Sequence, residues 1–150
     1  MQSEGQLEEW LWQRLLDPGG CGAYRRDRGR GAECNSRPAR HLEGRDESII
    51  LGVGNAHHAM TAANEPELRS VAFTLTIDKQ DGRRFSGTFS SPRGGSKVVA
   101  VISRSGTIFL ADAEGFSNGT MLAPDRMELC YLKHGPKARL ASCVELTKQP

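Results

Sequence analysis

Few side chains in this chain could do chemistry, and their spacing mostly argues against it. His57 and His58 are adjacent. On an extended segment their imidazoles point in different directions, so that pair holds a metal only with ligands from elsewhere. Cys21, Cys34, Cys130 and Cys143 are too widely spaced for the paired knuckles of a zinc site. No metal and no cofactor is expected. Gly52-Val53-Gly54 lacks the third glycine and the following helix of a dinucleotide-binding loop. Asp78 with Asp81, and Asp112 with Glu114, flank turns, where carboxylates serve the backbone more often than they move protons. No serine, histidine and acid fall together, so no catalytic residue is assigned. Arg25, Arg26, Arg28 and Arg30 form a basic run with only Tyr24 beside it, read as solvated coil. A net charge of +2 gives little attraction for nucleic acid or anionic membrane, and neither partner is expected.

The elements that must position these residues are strands. From Glu47 onward, short β-like runs alternate with turn clusters, the spacing of a sandwich or barrel. The runs are 48–53, 70–78, 84–90, 97–103, 107–112, 116–122, 126–132 and 139–147. Strands joined in succession by short turns favour an up-and-down meander, which removes exposed edges by closing. The expected fold is therefore all-β: an antiparallel eight-stranded up-and-down barrel. A three-residue loop at Gln80-Asp81-Gly82 would pair Ile77 with Phe85, Leu75 with Gly87 and Phe73 with Phe89. A turn between Pro136 and Lys137 pairs Met127 with Leu146, Leu129 with Val144 and Tyr131 with Ser142. It also sets Cys130 opposite Cys143 on the outer face. Facing thiols join in an oxidising compartment and stay reduced in the cytosol.

A Pro124-Asp125 turn pairs Leu122 with Met127 and Asn118 with Tyr131. That lays a polar row of Asn118, Tyr131 and Ser142, with Thr120 beside it, in an interior otherwise lined by Val71, Phe73, Leu75, Phe89, Phe116, Leu129 and Val144. Such a row is either a self-satisfied network around the Tyr131 hydroxyl or a set of handles for a ligand. Gly87 is expected to leave space beside it. In the middle strands, Val98, Ala100, Ile102, Phe109 and Ala111 fall on one face and Val99, Val101, Ile108 and Leu110 on the other. Strands apolar on both faces need cover on both, from the N-terminal helix or a second copy. The long connection between Gly54 and Arg69, which carries His57-His58, is expected at a barrel mouth.

Residues 1–45 read differently from the barrel domain, 46–150. Ser3 and Gln6 have capping-box spacing, and Leu7, Trp10, Leu11 and Leu15 recur at helical intervals until Asp17-Pro18-Gly19-Gly20. A short amphipathic helix over residues 4–16 is expected, followed by a flexible Gly/Arg-rich segment with too little apolar surface to fold. No window approaches the ~18 apolar residues of a spanning helix. The first 30 residues lack the apolar core of a signal peptide, which makes the cytoplasm the default expectation.

Val71-Ala-Phe-Thr-Leu-Thr-Ile-Asp, Gly82-Arg-Arg-Phe-Ser-Gly-Thr, Met127-Glu-Leu-Cys-Tyr and Ala141-Ser-Cys143 together resemble a group of uncharacterised small bacterial β-barrel proteins. The resemblance covers about residues 46–148, and the architecture is similar to the lipocalin and avidin type, which implies small-molecule binding. The Gly-x-Trp strand of lipocalins has no counterpart; Trp10 and Trp12 lie in the helical pattern instead. The leading expectation is a non-enzymatic barrel for a small, mostly apolar ligand. Asn118, Thr120, Tyr131 and Ser142 would be its polar contacts, with Phe73 and Phe89 beside them. The alternatives are a structural or oligomeric module with a solid core, and a cyclase or isomerase working inside the barrel.

Overall fold

Alternating apolar and polar side chains carry the described residues through nine strands. These are β1 (Arg40–Gly52), β2 (Glu67–Arg69), β3 (Ala72–Asp81), β4 (Arg84–Ser91), β5 (Gly94–Ile102), β6 (Ile108–Ala111), β7 (Phe116–Ala123), β8 (Arg126–Gly135) and β9 (Ala138–Lys148). The computed structural model describes residues 39–52, 54–61 and 65–150. The helix expected over residues 4–16 lies outside them, as does the Gly/Arg-rich segment up to residue 38.

From β3 to β9 each strand pairs antiparallel with the next, and β1 closes the ring between β9 and β3. Along that second edge of β1, Arg40–Arg45 pair with β3 and Ser48–Ile50 pair with β2, so the two share one strand position. The result is a closed antiparallel eight-stranded barrel, all-β, with no helix among the described residues. Its core includes Leu42, Phe73, Leu75, Ile102, Ile108, Met127, Leu129 and Leu146. β1 starts well before Ser48, where the apolar run begins. Its inward positions after Leu42 are Gly44, Asp46 and Ser48, which hide the alternation until Ile50.

Three hairpins depart from the expected register, each for a local reason. In β3–β4 the reversal is a two-residue turn, Gly82-Arg83, with Gly82 at φ +56°. A bulge between Ile77 and Lys79 then restores the alternation. Faces are therefore as expected, but Ile77 meets Gly87 and Leu75 meets Phe89. Nor does Gly87 leave a void: a Cβ there would lie 2.0 Å from the Thr76 carbonyl oxygen, so neighbouring backbone already fills the place.

Between β5 and β6, Ala100 opposes Leu110 and Ile102 opposes Ile108. The intervening loop is closed by a bond from Thr107 N–H to the Ser103 hydroxyl (3.0 Å). Ile108 and Leu110 thus point inward with Val98, Ala100 and Ile102, while Phe109 and Ala111 point outward with Val99 and Val101. The faces expected for β6 are exchanged. In β7–β8 a bulge between Met121 and Ala123 slips the strand by one, so Met121 meets Met127 and Ser117 meets Tyr131. Phe116, Asn118, Thr120 and Leu122, expected inside, are exposed. Only β8–β9 follows expectation pair for pair, and there Cys130 and Cys143 are joined by a disulfide.

Candidate functional site

The segment after β1 folds over the barrel mouth. Its ends are clasped: Gly52 N–H donates to Thr61 Oγ1 (2.8 Å), and Thr61 N–H donates to the Gly52 carbonyl (2.9 Å). Within the clasp, Asn55 Oδ1 accepts the N–H groups of His57 (2.9 Å) and His58 (2.6 Å). This is an Asx turn, a side chain imitating the backbone of a tight reversal. It aims both imidazoles inward, and both are buried.

His58 reaches the one fully buried carboxylate among the described residues, Asp46 on the inner face of β1. Because a carboxylate only accepts, His58 Nε2–H is the donor, at 2.8 Å from Asp46 Oδ2. The Ser142 hydroxyl on β9 donates to the same oxygen (2.7 Å), and Val71 N–H donates to Asp46 Oδ1 (2.5 Å). Burial by itself would push this carboxyl's pKa up. The bonds from His58, Ser142 and Val71, with the charge of His58, outweigh that and hold it below the usual carboxylate value. Asp46 therefore ties the loop, β9 and the start of β3 to β1.

His57 lies over the aromatic floor. Phe73 and Phe89 are stacked at 4.7 Å between centroids, and the His57 ring stands edge-on to them at 5.3 and 5.9 Å. Its Nδ1 is 2.9 Å from the Ser91 hydroxyl, and its Nε2 is 3.4 Å from Ser96, which also donates to Asp112. Burial lowers the His57 pKa below the ordinary 6.5, and the charge of His58 acts the same way; Asp112 and Glu114 only partly oppose them. The shift favours the neutral ring. The Tyr131 hydroxyl is raised above the ordinary value of 10.0 by burial and by the nearby charges of Asp112 and Glu114. It stays a neutral donor.

A cavity of about 40 Å³ remains between loop and floor. Phe73, Phe89, Leu129 and Val144 give it apolar walls; Tyr131, Ser142, Ser117, Asp112 and the two imidazoles give it polar ones. That is space for a few water-sized molecules. Four of the six side chains expected to contact a ligand therefore line one cavity: Tyr131, Ser142, Phe73 and Phe89. The other two do not. Asn118 and Thr120 stand exposed on the outer face of β7, and Ser117 occupies the inward position opposite Tyr131. Asp46, Asn55, His57 and His58 were not foreseen together. The available signal was Asp46 itself, which shares the parity of Leu42 and Ile50 and is therefore a charge at a core position.

Ser142 donates to the carboxylate rather than to an imidazole, and the Ser91 hydroxyl, besides its contact with His57 Nδ1, accepts from Arg93 N–H and reaches the Gly94 carbonyl in its own turn. Among the described residues, every buried side-chain nitrogen and oxygen has a partner, and no three His, Cys, Asp or Glu groups are placed to hold a metal.

No protein family and no curated protein matches the chain. Among solved structures it is similar to the S-type phycobiliprotein lyase CPES from Guillardia theta. That likeness has a TM-score of 0.35 at 14% sequence identity, over 75% of this chain and 86% of that one. The barrel itself is established by the strand pairings described above.

Proposed function

We propose that this barrel binds a small, mostly apolar ligand beneath the loop of residues 54–61, without catalysing a reaction on it. The observation that carries the reading is the mouth. The His57 ring stands on a stacked Phe73–Phe89 pair beside the neutral Tyr131 hydroxyl, and His58 is held on Asp46 by a hydrogen bond that an opening loop can exchange for water. Small-molecule sites usually measure ~300 Å³ or more, whereas the closed mouth encloses about 40 Å³. Binding is therefore coupled to lifting the loop, and the apparent affinity is reduced by the fraction of molecules that are open. Phe73, Phe89, Leu129 and Val144 supply apolar contact, and Tyr131 and Ser142 orient the ligand. Asn118 and Thr120 face away and take no part.

A thermal-shift screen of small apolar compounds bearing one polar group tests this in the wild type, Tyr131→Phe and Asn55→Ala. One compound class should raise the melting temperature of the wild type. Tyr131→Phe should bind it roughly 2- to 10-fold more weakly, the value of one neutral hydrogen bond. Asn55→Ala, which frees the loop, should bind it more tightly. The reading fails if no compound shifts either the wild type or the loosened loop.

A further inference from the structure

A second feature lies outside the barrel and is independent of the mouth. The outer faces of β5, β6 and β7 carry Val99 (64% exposed), Val101 (47%), Phe109 (48%) and Phe116 (59%). Together they line an apolar groove of about 650 Å³, with Lys79 and Arg84 at its rim. Clustered apolar side chains of this size on a sheet face usually mark a surface that something covers. Closure of the barrel leaves no free edge here to add a strand to, so the occupant must bring a side-chain face of its own.

We infer that this groove is the docking site of the chain's own N-terminal segment, residues 4–16. Three observations point to it rather than to a foreign partner. Leu7, Trp10, Leu11 and Leu15 fall at helical spacing and make an apolar stripe, and the stretch from Cys21 to His41 that follows has almost no apolar content. The chain also enters the barrel beside the groove. Arg40 pairs with Ile77 and donates to the Gln80 side chain (2.9 Å), and Gln80 sits between Lys79 and Asp81, both of which line the groove. Residues 17–38, rich in glycine and arginine, form the tether. A random coil of that length would span roughly 25 Å, enough to bring the stripe back along the barrel wall at millimolar effective concentration. Finally, Glu4, Glu8 and Glu9 complement Lys79 at the rim, where Arg84 is already paired with Asp81.

The chain's two tryptophans, Trp10 and Trp12, are both in this segment, so tryptophan emission reports on it alone. In the full-length protein the emission should be blue-shifted and quenched by acrylamide several-fold less than in a peptide of residues 1–20. Both properties should survive serial dilution. The double variant Val99→Lys/Phe109→Lys alters two exposed side chains and should keep the far-ultraviolet spectrum of the barrel while returning the emission to that of the peptide. Lys79→Glu should do so in part. Emission identical to the peptide in the wild type overturns the inference. So does protection that disappears on dilution, which would make a second copy the occupant, and so does protection indifferent to the groove variants in a folded barrel.

Discussion

Asp46 shows how one residue can organise a site without reacting in it. A carboxylate removed from water is costly, and it is tolerated here because His58, Ser142 and the Val71 N–H all donate to it. Replacing it by alanine strands those donors in the interior. Asp46→Ala should lower the unfolding free energy by about 3–5 kcal/mol, measured by urea denaturation, and should expose the 54–61 loop to hydrogen exchange. The pH dependence follows from the same bonds. Folded Asp46 titrates below its usual 3.8, so as pH falls the unfolded chain takes up the proton first. Its contribution is complete above about pH 3.8 and is lost as pH drops through the folded value. His57, lowered below 6.5, acts in a higher window: burial of the neutral ring is favourable above pH 6.5 and becomes a liability below it. An acid titration of stability should therefore fall in two stages, and His57→Gln should remove the upper one.

At the scale of the strand pair, register depends on where bulges fall. β8–β9 was legible because its alternation is uninterrupted on both sides of a tight turn, so Leu129 opposite Val144 and Tyr131 opposite Ser142 follow from counting. β7 was not, because one unpaired residue next to Ala123 moves every side chain of the strand to the other face. Nothing in Phe116-Ser-Asn-Gly-Thr-Met-Leu marks the inner parity, since Phe116, Asn118, Thr120 and Leu122 on one face and Ser117, Gly119 and Met121 on the other both mix apolar with polar or small residues. Gly87 belongs to the same scale. It lies opposite Ile77 at the end of the β3 bulge, with the Thr76 carbonyl pressed where a side chain would begin. Gly87→Ala should destabilise the barrel by about 1–3 kcal/mol through overpacking. A denaturation midpoint equal to that of the wild type would show that the strands there can separate freely.

For the molecule as a whole, everything turns on β1, the strand that closes the ring. It pairs with β9 along most of its length and with β3 and β2 on its other edge, and it brings Leu42 and Asp46 into the interior. Without it, β3 and β9 become open edges, and the mouth loses its anchor. Removing residues 1–38 should leave a cooperatively unfolding β-sheet protein by circular dichroism, whereas removing residues 1–47 should abolish cooperative unfolding. If both truncations unfold alike, ring closure is not what stabilises the fold.

The chain's periodicity was enough for the class and closure of the fold. Turn residues recur at short intervals, and side chains alternate with period two, so neighbour-to-neighbour pairing of antiparallel strands is a local property. Tyr131, Ser142, Phe73 and Phe89 could be placed on the inner face for the same reason. Their meeting with His57, His58 and Asp46 could not. Those contacts join residues far apart in the chain, through a loop whose path is set by an Asx turn and a buried carboxylate rather than by any repeat. Periodicity tells which way a side chain points; which distant partner it meets depends on how the ring closes and where its bulges fall.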